Sequence, residues 1–484
     1  MNATPAPTLV LQMQRMGDLV LTFPLLARLR LLEPERPVWV VAEERFFKSL
    51  MPFAPDVVFF APEAARRLAG LSYRRVINLG HRPDAARLCA ELEAEERFGM
   101  LQDAEHTVIN GYWQLYRASL VHNNRHNRFH WSDLNMLDIL SQADIQRMRS
   151  FRPAAAGQGR VGLFVGASEV EKRPAPSFWA ELARTLARKS IKTVFLGGPE
   201  DRALTAEAAQ LAGMPKLDLG GHFTLRAFAK FLQRLDLLVV PDTGPMHLAA
   251  WLGTPTLNLS MGPVHAWETG PAAPGHHVLR ANLSCSGCWR CSRGDLLCRR
   301  AFAPARIALL VQHLLHNPQR LGSLRLPGLL LYESDRTEQG LYELRAMLPR
   351  QENARDALGR FWQAWFLERA PGRHQADSRK EFHAFAERFP RLLSPLRQAI
   401  AHSMSRCVRA LSRQNALPPS FWEASPLLLR PLTSWMQLFL QNGRHGKKAW
   451  EHVIAGLEDL ERLCRQQPGG ASRRSDVDVE FTRE

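Results

Sequence analysis

The sequence predicts a two-domain α/β protein followed by a helical segment, and three observations support this fold class. First, short apolar runs alternate with helical patterns through the first 150 residues, as in βαβ units around a parallel sheet. Second, the alternation restarts after a linker rich in Ala and Gly at residues 151–160. Third, no strand pattern recurs beyond Gly322, where the chain becomes helical and rich in Arg and Trp. We therefore expect domains at residues 1–152 and 160–322 and a helical, Arg-rich extension at residues 323–484.

Apolar runs of four to six residues mark the strands, and longer segments with apolar residues at helical spacing mark the helices. In the first domain we predict a helix at residues 18–32 and strands at residues 8–13, 38–42, 56–60 and 75–79. From residue 98 to residue 141 the pattern weakens into a polar stretch rich in His and Asn. In the second domain we predict strands at residues 161–165, 192–196, 237–240 and 256–259, and helices at residues 178–188, 201–211, 225–232, 246–252 and 304–315.

The charge of the chain is strongly positive. Its 484 residues include 63 Lys and Arg against 47 Asp and Glu, a formal net charge of +16. This balance favours anionic partners, although a solvated Arg-rich surface explains it equally well. Neither an RNP-type aromatic strand nor a two-Cys, two-His finger is present, so we expect no nucleic-acid binding. No apolar run reaches the roughly 18 residues of a membrane-spanning helix, and no signal sequence precedes the first strand, so we expect a cytoplasmic protein.

A tight turn follows the first predicted strand, at residues 14–24. Gly17 permits this turn, and Asp18 then stands at the start of the next helix, facing the predicted cleft between the domains. Asp is also a favoured helix cap, so a purely structural role is the alternative. A dinucleotide-binding fingerprint is excluded, because it needs three glycines and this turn has only Gly17.

A second turn, at residues 241–250, follows a strand and opens a helix. It presents the hydroxyl of Thr243 and the backbone N–H of Gly244 at a helix N-terminus, which is a natural phosphate site. His247 lies on the first turn of the same helix. A lone His is more often structural, but its position after a phosphate-type turn favours a functional role.

Two further turns follow strands of the second domain. Residues 166–173 offer the hydroxyl of Ser168 and the charge of Lys172 to a phosphate, and residues 197–201 offer acidic side chains to ribose hydroxyls. A loop lysine in solvent is the alternative for Lys172. Ligands of parallel sheets bind at the C-terminal ends of the strands, where all these turns lie. Together they predict a nucleotide diphosphate site facing Asp18 across a cleft.

In this order and spacing, the motifs resemble those of glycosyltransferase family 9, the ADP-heptose:lipopolysaccharide heptosyltransferases. The resemblance covers about residues 8–318, and the segments at residues 75–82 and 128–137 resemble acceptor-side segments of that family. It implies a GT-B fold, in which two Rossmann-like domains face a cleft, and inversion at the anomeric carbon. It also implies an ADP-heptose donor, an acceptor that is lipid-linked or a glycan of the lipopolysaccharide inner core, and no metal or other cofactor.

The resemblance also assigns roles to residues. It makes Asp18 the general base, and a carboxylate with the ordinary Asp pKa of about 3.9 is ionised at neutral pH and able to take a proton. The implied nucleotide-sugar site consists of Ser168, Lys172, Gly197, Glu200, Asp242, Thr243, Gly244 and His247. The implied acceptor-binding residues are Gly17, His81, Arg82, Arg128 and His130. The alternative hypothesis is a catalytically decayed scaffold that acts through its basic tail.

Four of the seven cysteines form a cluster with the spacing C-x₂-C-x₂-C-x₆-C, at Cys285, Cys288, Cys291 and Cys298. This spacing suits zinc or an iron–sulfur cluster, and thiols of a cytosolic protein stay reduced. The family resemblance includes a Cys-rich loop at this place, which favours a structural loop without metal. Both interpretations stay open.

The extension carries a basic stretch at residues 388–448. This stretch has ten Arg or Lys and a single acidic residue, Glu423, and three aromatic residues are interleaved with them: Trp422, Trp435 and Phe439. One hypothesis is docking on an anionic membrane surface, where a lipid-linked acceptor would be found. The alternative is a helical bundle with buried aromatic residues. We also expect truncation after about residue 327 to leave nucleotide binding intact.

Overall fold

The computed structural model describes residues 5–466, except 104–105, 148–156, 286, 290, 292–294 and 373–375. Two α/β domains, each built on one mainly parallel sheet, face each other, and the helices of the extension pack beside the first domain. The predicted fold class, a GT-B pair of domains with a helical C-terminal extension, is confirmed.

The first domain has a six-stranded sheet with the order β3-β2-β1-β4-β5-β6, in which only β6 is antiparallel to its neighbour. Its elements are β1 (Thr8–Gln12), α1 (Met16–Leu32), β2 (Val38–Ala42), α2 (Glu44–Leu50), β3 (Val58–Phe60), β4 (Ser72–Asn78), α3 (Pro83–Glu91), β5 (Glu93–Gln102), β6 (Thr107–Asn110), α4 (Tyr112–Ser119), α5 (Trp131–Leu134) and α6 (Gln142–Gln146). All five residues of β1 are buried, as expected for a central strand of a parallel sheet covered on both faces.

The second domain has a seven-stranded sheet with the order β13-β12-β11-β10-β9-β7-β8. Its elements are β7 (Val161–Phe164), α7 (Pro176–Arg188), β8 (Thr193–Leu196), α8 (Arg202–Ala212), α9 (Leu225–Leu232), β9 (Leu237–Pro241), α10 (Gly244–Trp251), β10 (Thr256–Ser260), α11 (Ala266–Thr269), β11 (His277–Ala281), α12 (Pro304–His316), β12 (Leu329–Arg336) and β13 (Tyr342–Ala346). Strands β7 to β11 are parallel, and β12 and β13 form an antiparallel hairpin at one edge.

This hairpin corrects the predicted boundary at residue 322, because it places two strands in the segment expected to be helical. Strand β12 escapes detection because its second half is polar and yet partly buried. The Ser334 hydroxyl donates to the carbonyl of Ala273 at 2.6 Å, and Arg336 forms an ion pair with Asp133 of the first domain at 3.0 Å. These partners satisfy polar side chains that the hydrophobic pattern counts against a strand.

The extension begins after β13 and contains α13 (Ala354–Arg369), α14 (Ser378–Arg388), α15 (Leu393–Arg413), α16 (Pro419–Glu423), α17 (Arg430–Asn442) and α18 (Lys447–Arg465). Its apolar side chains belong to the same core cluster as those of the first domain. The ring of Tyr112 in α4 lies 5.7 Å from that of Trp435 and 6.5 Å from that of Phe366. Trp422 and Trp435 are buried and Phe439 is half-buried, which favours the helical-bundle interpretation of the basic stretch.

The extension also covers an edge of the first sheet. The side-chain amide of Asn442 donates to the carbonyl of Ile109 in β6 at 2.7 Å, and its oxygen accepts from the Ile109 N–H at 3.1 Å. Truncation after residue 327 would therefore remove the hairpin of the second sheet and expose the core of the first domain. The expectation that nucleotide binding survives this truncation is not supported by the packing.

The two domains are tied together by buried polar contacts. The Arg336–Asp133 pair joins β12 to α5, with side chains 4% and 1% exposed. The indole N–H of Trp251, at the end of α10, donates to the carbonyl of Phe53 in the first domain at 2.7 Å. These contacts join the two domains at the base of the cleft between them. Within the described residues, the helices fall short of the length and apolarity needed to cross a membrane.

Candidate active site

Several of the predicted site residues come directly after strands at the topological switch points of the two sheets. Strand β1 lies between β2 and β4, and β7 lies between β8 and β9, so successive crossovers leave on opposite sides. Such switch points open a crevice at the C-terminal ends of the strands. Asp18 follows β1, Lys172 follows β7, and Asp242 follows β9. Topology therefore brings these three residues to the facing edges of the two sheets.

The first turns of α1 and α10 touch across this cleft. A Cβ atom added to Gly17 would lie 3.0 Å from Cδ2 of His247, and one added to Gly244 would lie 2.6 Å from Cε of Met16. The atom added to Gly17 would also lie 3.4 Å from Cα of Gly244, and the atom added to Gly244 would lie 3.4 Å from the backbone nitrogen of Gly17. The two glycines therefore let the N-termini of these helices lie close together across the cleft.

Asp18 is the third residue of α1. Its Oδ2 accepts a hydrogen bond from the backbone N–H of Arg15 at 3.3 Å, so Asp18 does cap the N-terminus of α1. Asp18 also interacts electrostatically with His81, Arg117 and His247, and it raises the pKa of each of them. A carboxylate among these groups, half-buried at the cleft, can do more than cap a helix.

His247 lies between the carboxylates of the two domains. Burial lowers its pKa, Asp242 and Asp18 oppose this effect, and Lys172 adds to it, so the ring is neutral at pH 7. Its Nδ1 is buried without a hydrogen-bond partner among the described residues. The His247 ring is thus a neutral imidazole with one ring nitrogen that makes no hydrogen bond to the described residues.

Lys172 and Asp242 form the charged centre of the second domain's edge. The ammonium of Lys172 lies 3.4 Å from Oδ2 of Asp242 and 3.4 Å from Oε2 of Glu169. Burial works against the charge of Lys172, but the two carboxylates outweigh it and raise its pKa. Asp242 also accepts a hydrogen bond from the Thr269 hydroxyl at 3.1 Å. Asp242 thus holds a protonated Lys172 beside the N-terminus of α10.

The other predicted donor-side residues lie along the same sheet edge. Thr243 is the N-cap of α10, and its side chain makes no capping hydrogen bond. Ser168, after β7, and Glu200, after β8, are exposed. Gly197 has a packing role, because a Cβ atom there would lie 2.8 Å from Cβ of Asp201. The edge therefore presents a hydroxyl, a helix N-terminus and an ammonium together.

His81 is the predicted acceptor-side residue, apart from Gly17, that lies beside Asp18. It is exposed, and its Nδ1 is 2.9 Å from Nε2 of Gln14. Desolvation and Arg117 lower the pKa of His81, against the opposite effect of Asp18. A neutral, accessible imidazole next to the candidate base is a suitable contact for sugar hydroxyls.

Three predicted acceptor residues have partners within the protein, and their role at an acceptor stays a prediction. Arg82 is held by Asp84 at 2.6 Å and by Glu43 at 2.7 Å, so it braces the sheet edge. His130 is fully buried, with Nε2 2.8 Å from the carbonyl oxygen of Gly270, so it ties the two domains together.

Arg128, the third of them, lies 4.4 Å over the ring of Trp267 and 3.7 Å from Asp356 of the extension. It lines a separate cavity described below. Of the acceptor-side predictions, Gly17 and His81 remain candidates at the cleft.

Sequence reasoning missed two charged residues near Asp18 and Asp242. Arg117 of α4 lies 4.8 Å over the Trp131 ring; burial lowers its pKa, and Asp18 and Glu268 oppose this effect. Burial raises the pKa of Glu268 in α11 to about 7. Both residues come from helices rather than strand ends, so strand-end motifs gave no signal for them.

The Cys-rich loop follows β11. The Sγ of Cys298 accepts a hydrogen bond from the Gly262 N–H at 3.4 Å, and burial together with the neighbouring thiols raises the pKa of Cys288. Residues 286, 290 and 292–294 of this loop lie outside the described part of the chain. Among the residues that are described, no three His, Cys, Asp or Glu side chains converge as metal ligands.

Residues 63–295 match the family model described as glycosyltransferase family 9 (heptosyltransferase). This segment, slightly less than half of the chain, is similar to family 9 glycosyltransferases. It includes Lys172, Asp242 and His247, whereas Asp18 precedes the matched residues and the extension follows them.

Two curated proteins are similar to parts of the chain. Lipopolysaccharide heptosyltransferase 1 of Pseudomonas aeruginosa is 29% identical over 177 residues, 32% of this chain and 48% of that protein. Lipopolysaccharide core heptosyltransferase OpsX of Haemophilus influenzae is 28% identical over 94 residues, 19% of this chain and 27% of that protein. The chain thus matches less than half the length of either relative. The solved E. coli ADP-heptose lipopolysaccharide heptosyltransferase II is 18% identical, with a TM-score of 0.47, over 65% of this chain and 99% of that chain.

Proposed function

We propose that this chain is an inverting glycosyltransferase. It transfers a heptose, or a related sugar, from an ADP-activated donor to a lipopolysaccharide inner-core or other cell-surface glycan acceptor. One observation carries the proposal: Asp18 stands across a single cleft from Lys172, Asp242 and His247, at the switch points of both sheets. The similarity to family 9 supports the choice of heptose and of a nucleotide-activated donor.

On the donor side, the diphosphate of the nucleotide sugar binds beside Lys172. As the glycosidic bond breaks, negative charge grows on the leaving diphosphate. The Lys172 ammonium, the N-terminus of α10 and the Thr243 hydroxyl are positioned to stabilise that charge. Because these groups supply the positive charge, we propose that transfer needs no metal ion. Asp242 acts as a positioning residue, since it holds Lys172.

On the acceptor side, Asp18 takes the proton from the hydroxyl that attacks the anomeric carbon. The new glycosidic bond forms as the bond to the diphosphate breaks, and attack from the opposite face inverts the configuration. The capping hydrogen bond from Arg15 fixes the carboxylate, and His81 is available to orient the acceptor. General base catalysis contributes roughly 10²- to 10⁴-fold to the rate.

The test begins with a screen of nucleotide sugars for release of ADP or UDP in the presence of a core-type glycan acceptor. Asp18→Asn should lower turnover at least about 100-fold and leave ADP binding within a few-fold, because the base acts on the acceptor. Asp56→Asn is a matched control, since Asp56 is an exposed carboxylate of the same domain. If the Asp18→Asn variant keeps more than about a tenth of the native turnover, Asp18 acts only as a helix cap. Absence of nucleotide release from every donor would favour the decayed scaffold.

We also propose that the protein works on the cytoplasmic side of a membrane and contacts its anionic surface through exposed arginines of α15. Arg409 and Arg413 are exposed, whereas Trp422 and Trp435 are buried. The contact would thus be electrostatic, without insertion of these aromatic side chains.

A further inference from the structure

A second cavity lies where both domains and the extension meet, away from the cleft residues described above. Its volume is about 60 Å³, which is below the roughly 300–1,000 Å³ of sites for drug-sized ligands but is enough for a small group, and part of it is open to solvent. Five arginines line it, and each part of the molecule contributes: Arg125 and Arg128 come from the first domain, Arg280 from the second, and Arg350 and Arg355 from the segment that leads into and begins α13. We call this cavity the arginine pocket.

The arginine pocket holds more positive than negative charge. Among the described residues that line it, Asp356 is the only carboxylate, and its oxygens lie within ion-pair distance of Arg128 and Arg350. The other three guanidinium groups are without a carboxylate partner in the described part of the chain. Arg125 donates to the carbonyl of Ser284, Arg280 to the carbonyl of Val264, and Arg355 to the carbonyl of Arg125.

This arrangement is costly without an anion, because buried like charges repel and lose hydration. Burial, Arg280 and Arg125 lower the pKa of Arg355 to about 9. His265, another lining residue, is 4% exposed, and its buried Nδ1 has no hydrogen-bond partner among the described residues. In the tautomer that carries its proton on Nδ1, this ring nitrogen can donate a hydrogen bond to an acceptor oxygen of a ligand.

We propose that the arginine pocket binds a phosphoryl dianion, either free phosphate or the phosphomonoester of a sugar. Guanidinium groups bind phosphate oxygens in bidentate geometry, and a tetrahedral dianion offers oxygens to several of them at once. The site is distinct from the nucleotide site. Helix α11 contributes to both places, since Ala266 and Trp267 line the arginine pocket and Thr269 donates to Asp242. A bound anion would also link the extension to both domains.

Calorimetric titration of the full chain with inorganic phosphate, at constant ionic strength, tests this proposal. We expect one saturable site, weakened about tenfold or more by Arg355→Gln and by Arg125→Gln, since hydrogen bonds to charged groups contribute roughly 1.5–3 kcal/mol. Lys172→Ala should leave this site intact, because Lys172 belongs to the proposed nucleotide site. Arg413→Gln removes an equal charge from an exposed position of the extension and serves as the control.

The source of the phosphoryl group is distinguished by titration with a hexose 6-phosphate and with the parent hexose. Tighter binding of the sugar phosphate than of phosphate indicates a phosphorylated sugar, and equal binding indicates free phosphate. Circular dichroism checks that the variants fold. Two pocket variants are used so that a local structural defect in one of them cannot explain the loss of binding alone. The proposal is overturned if no saturable site exists, if both pocket variants bind phosphate as the native chain does, or if Lys172→Ala abolishes binding. Equal binding of hexose and hexose phosphate would also overturn it.

Discussion

At the scale of single residues, the cleft brings ionisable groups into surroundings that oppose their charge. Glu268 is the clearest case, because it is buried in α11 with its Oε2 accepting from the Asn124 amide at 2.8 Å. Burial raises its pKa from 4.5 to about 7, although Asn124, Trp131 and Arg117 act in the opposite direction. The Glu268 carboxyl group therefore stays largely protonated below about pH 7.

Glu268→Gln should stabilise the protein at alkaline pH. In the native state Glu268 keeps its proton up to about pH 7, whereas in the unfolded state it loses the proton near its ordinary pKa of 4.5. The free energy of unfolding therefore falls as pH rises from 4.5 to about 7 and stays lower above pH 7. Glutamine imitates the neutral form. The variant should gain up to about 3 kcal/mol at pH 8 and nothing near pH 4, measured by urea unfolding. Glu181→Gln, at an exposed position of α7, is the control. A variant less stable than the native chain at pH 8 would contradict the assigned direction.

Lys172→Ala should weaken binding of ADP much more than binding of AMP. The ammonium beside Asp242 and the start of α10 is expected to contact mainly the β-phosphate. Calorimetry with the two nucleotides measures the difference, and Lys230→Ala, at an exposed lysine of the same domain, gives the control. Equal losses for ADP and AMP would show that Lys172 contacts another part of the nucleotide.

At the scale of elements, the apolar patterns predicted the central parallel strands and the helices between them. Helix α9 has the predicted bounds, residues 225–232, because its apolar face and capping Thr224 are both local signals. Strands β5, β6, β11, β12 and β13 were not predicted, and two of them, β5 and β12, are rich in charged residues. In β5, Glu95 and Glu96 form ion pairs with Arg74 and Arg75 of the neighbouring strand β4. Such cross-strand pairs are visible only after the strands are aligned.

The difference between local sequence signals and contacts formed only in the fold also separates the candidate site residues that the sequence predicted from those that it did not. Asp18 and Lys172 follow strands of parallel sheets, and topology alone places such residues at the cleft. Arg117 and Glu268 reach it through helices whose positions depend on packing between the domains. His130 and Arg128 lie in a matching motif, but their side chains are turned to buried partners.

Helix α15 carries the exposed charge on which the proposed membrane contact depends. The double variant Arg409→Gln, Arg413→Gln should co-sediment less with vesicles of anionic lipid, because each basic residue near such a surface contributes about 1 kcal/mol. Association of the native chain should also fall as salt rises, since exposed charges are screened within about 8 Å at physiological ionic strength. Replacement of exposed Arg226 and Lys230 of α9 by glutamine is the control. If the native chain and all variants co-sediment with the vesicles equally, the α15 arginines do not contact the membrane surface.

At the scale of the whole molecule, the buried Arg336–Asp133 pair holds the two domains in one arrangement. Asp133 also accepts from the Tyr342 backbone N–H at 2.7 Å, so both of its oxygens are used. Asp133→Ala leaves Arg336 buried without its carboxylate and should cost about 3–5 kcal/mol of unfolding free energy. Asp335→Asn removes the charge from a partly exposed pair with Arg345 and should cost at most about 1 kcal/mol. Similar urea midpoints for the two variants would show that the buried pair does not hold the domains.

The contact between Asn442 and β6 has a consequence for the behaviour of the protein in crowded solution. An uncovered edge strand offers unpaired backbone groups on which the edge of another molecule can add, the first step of sheet-based aggregation. Asn442 occupies both backbone groups of Ile109, in the middle of the four-residue strand β6. A side chain of the extension therefore lies where a neighbouring molecule would add its strand, so the extension protects this edge of the first domain from strand addition.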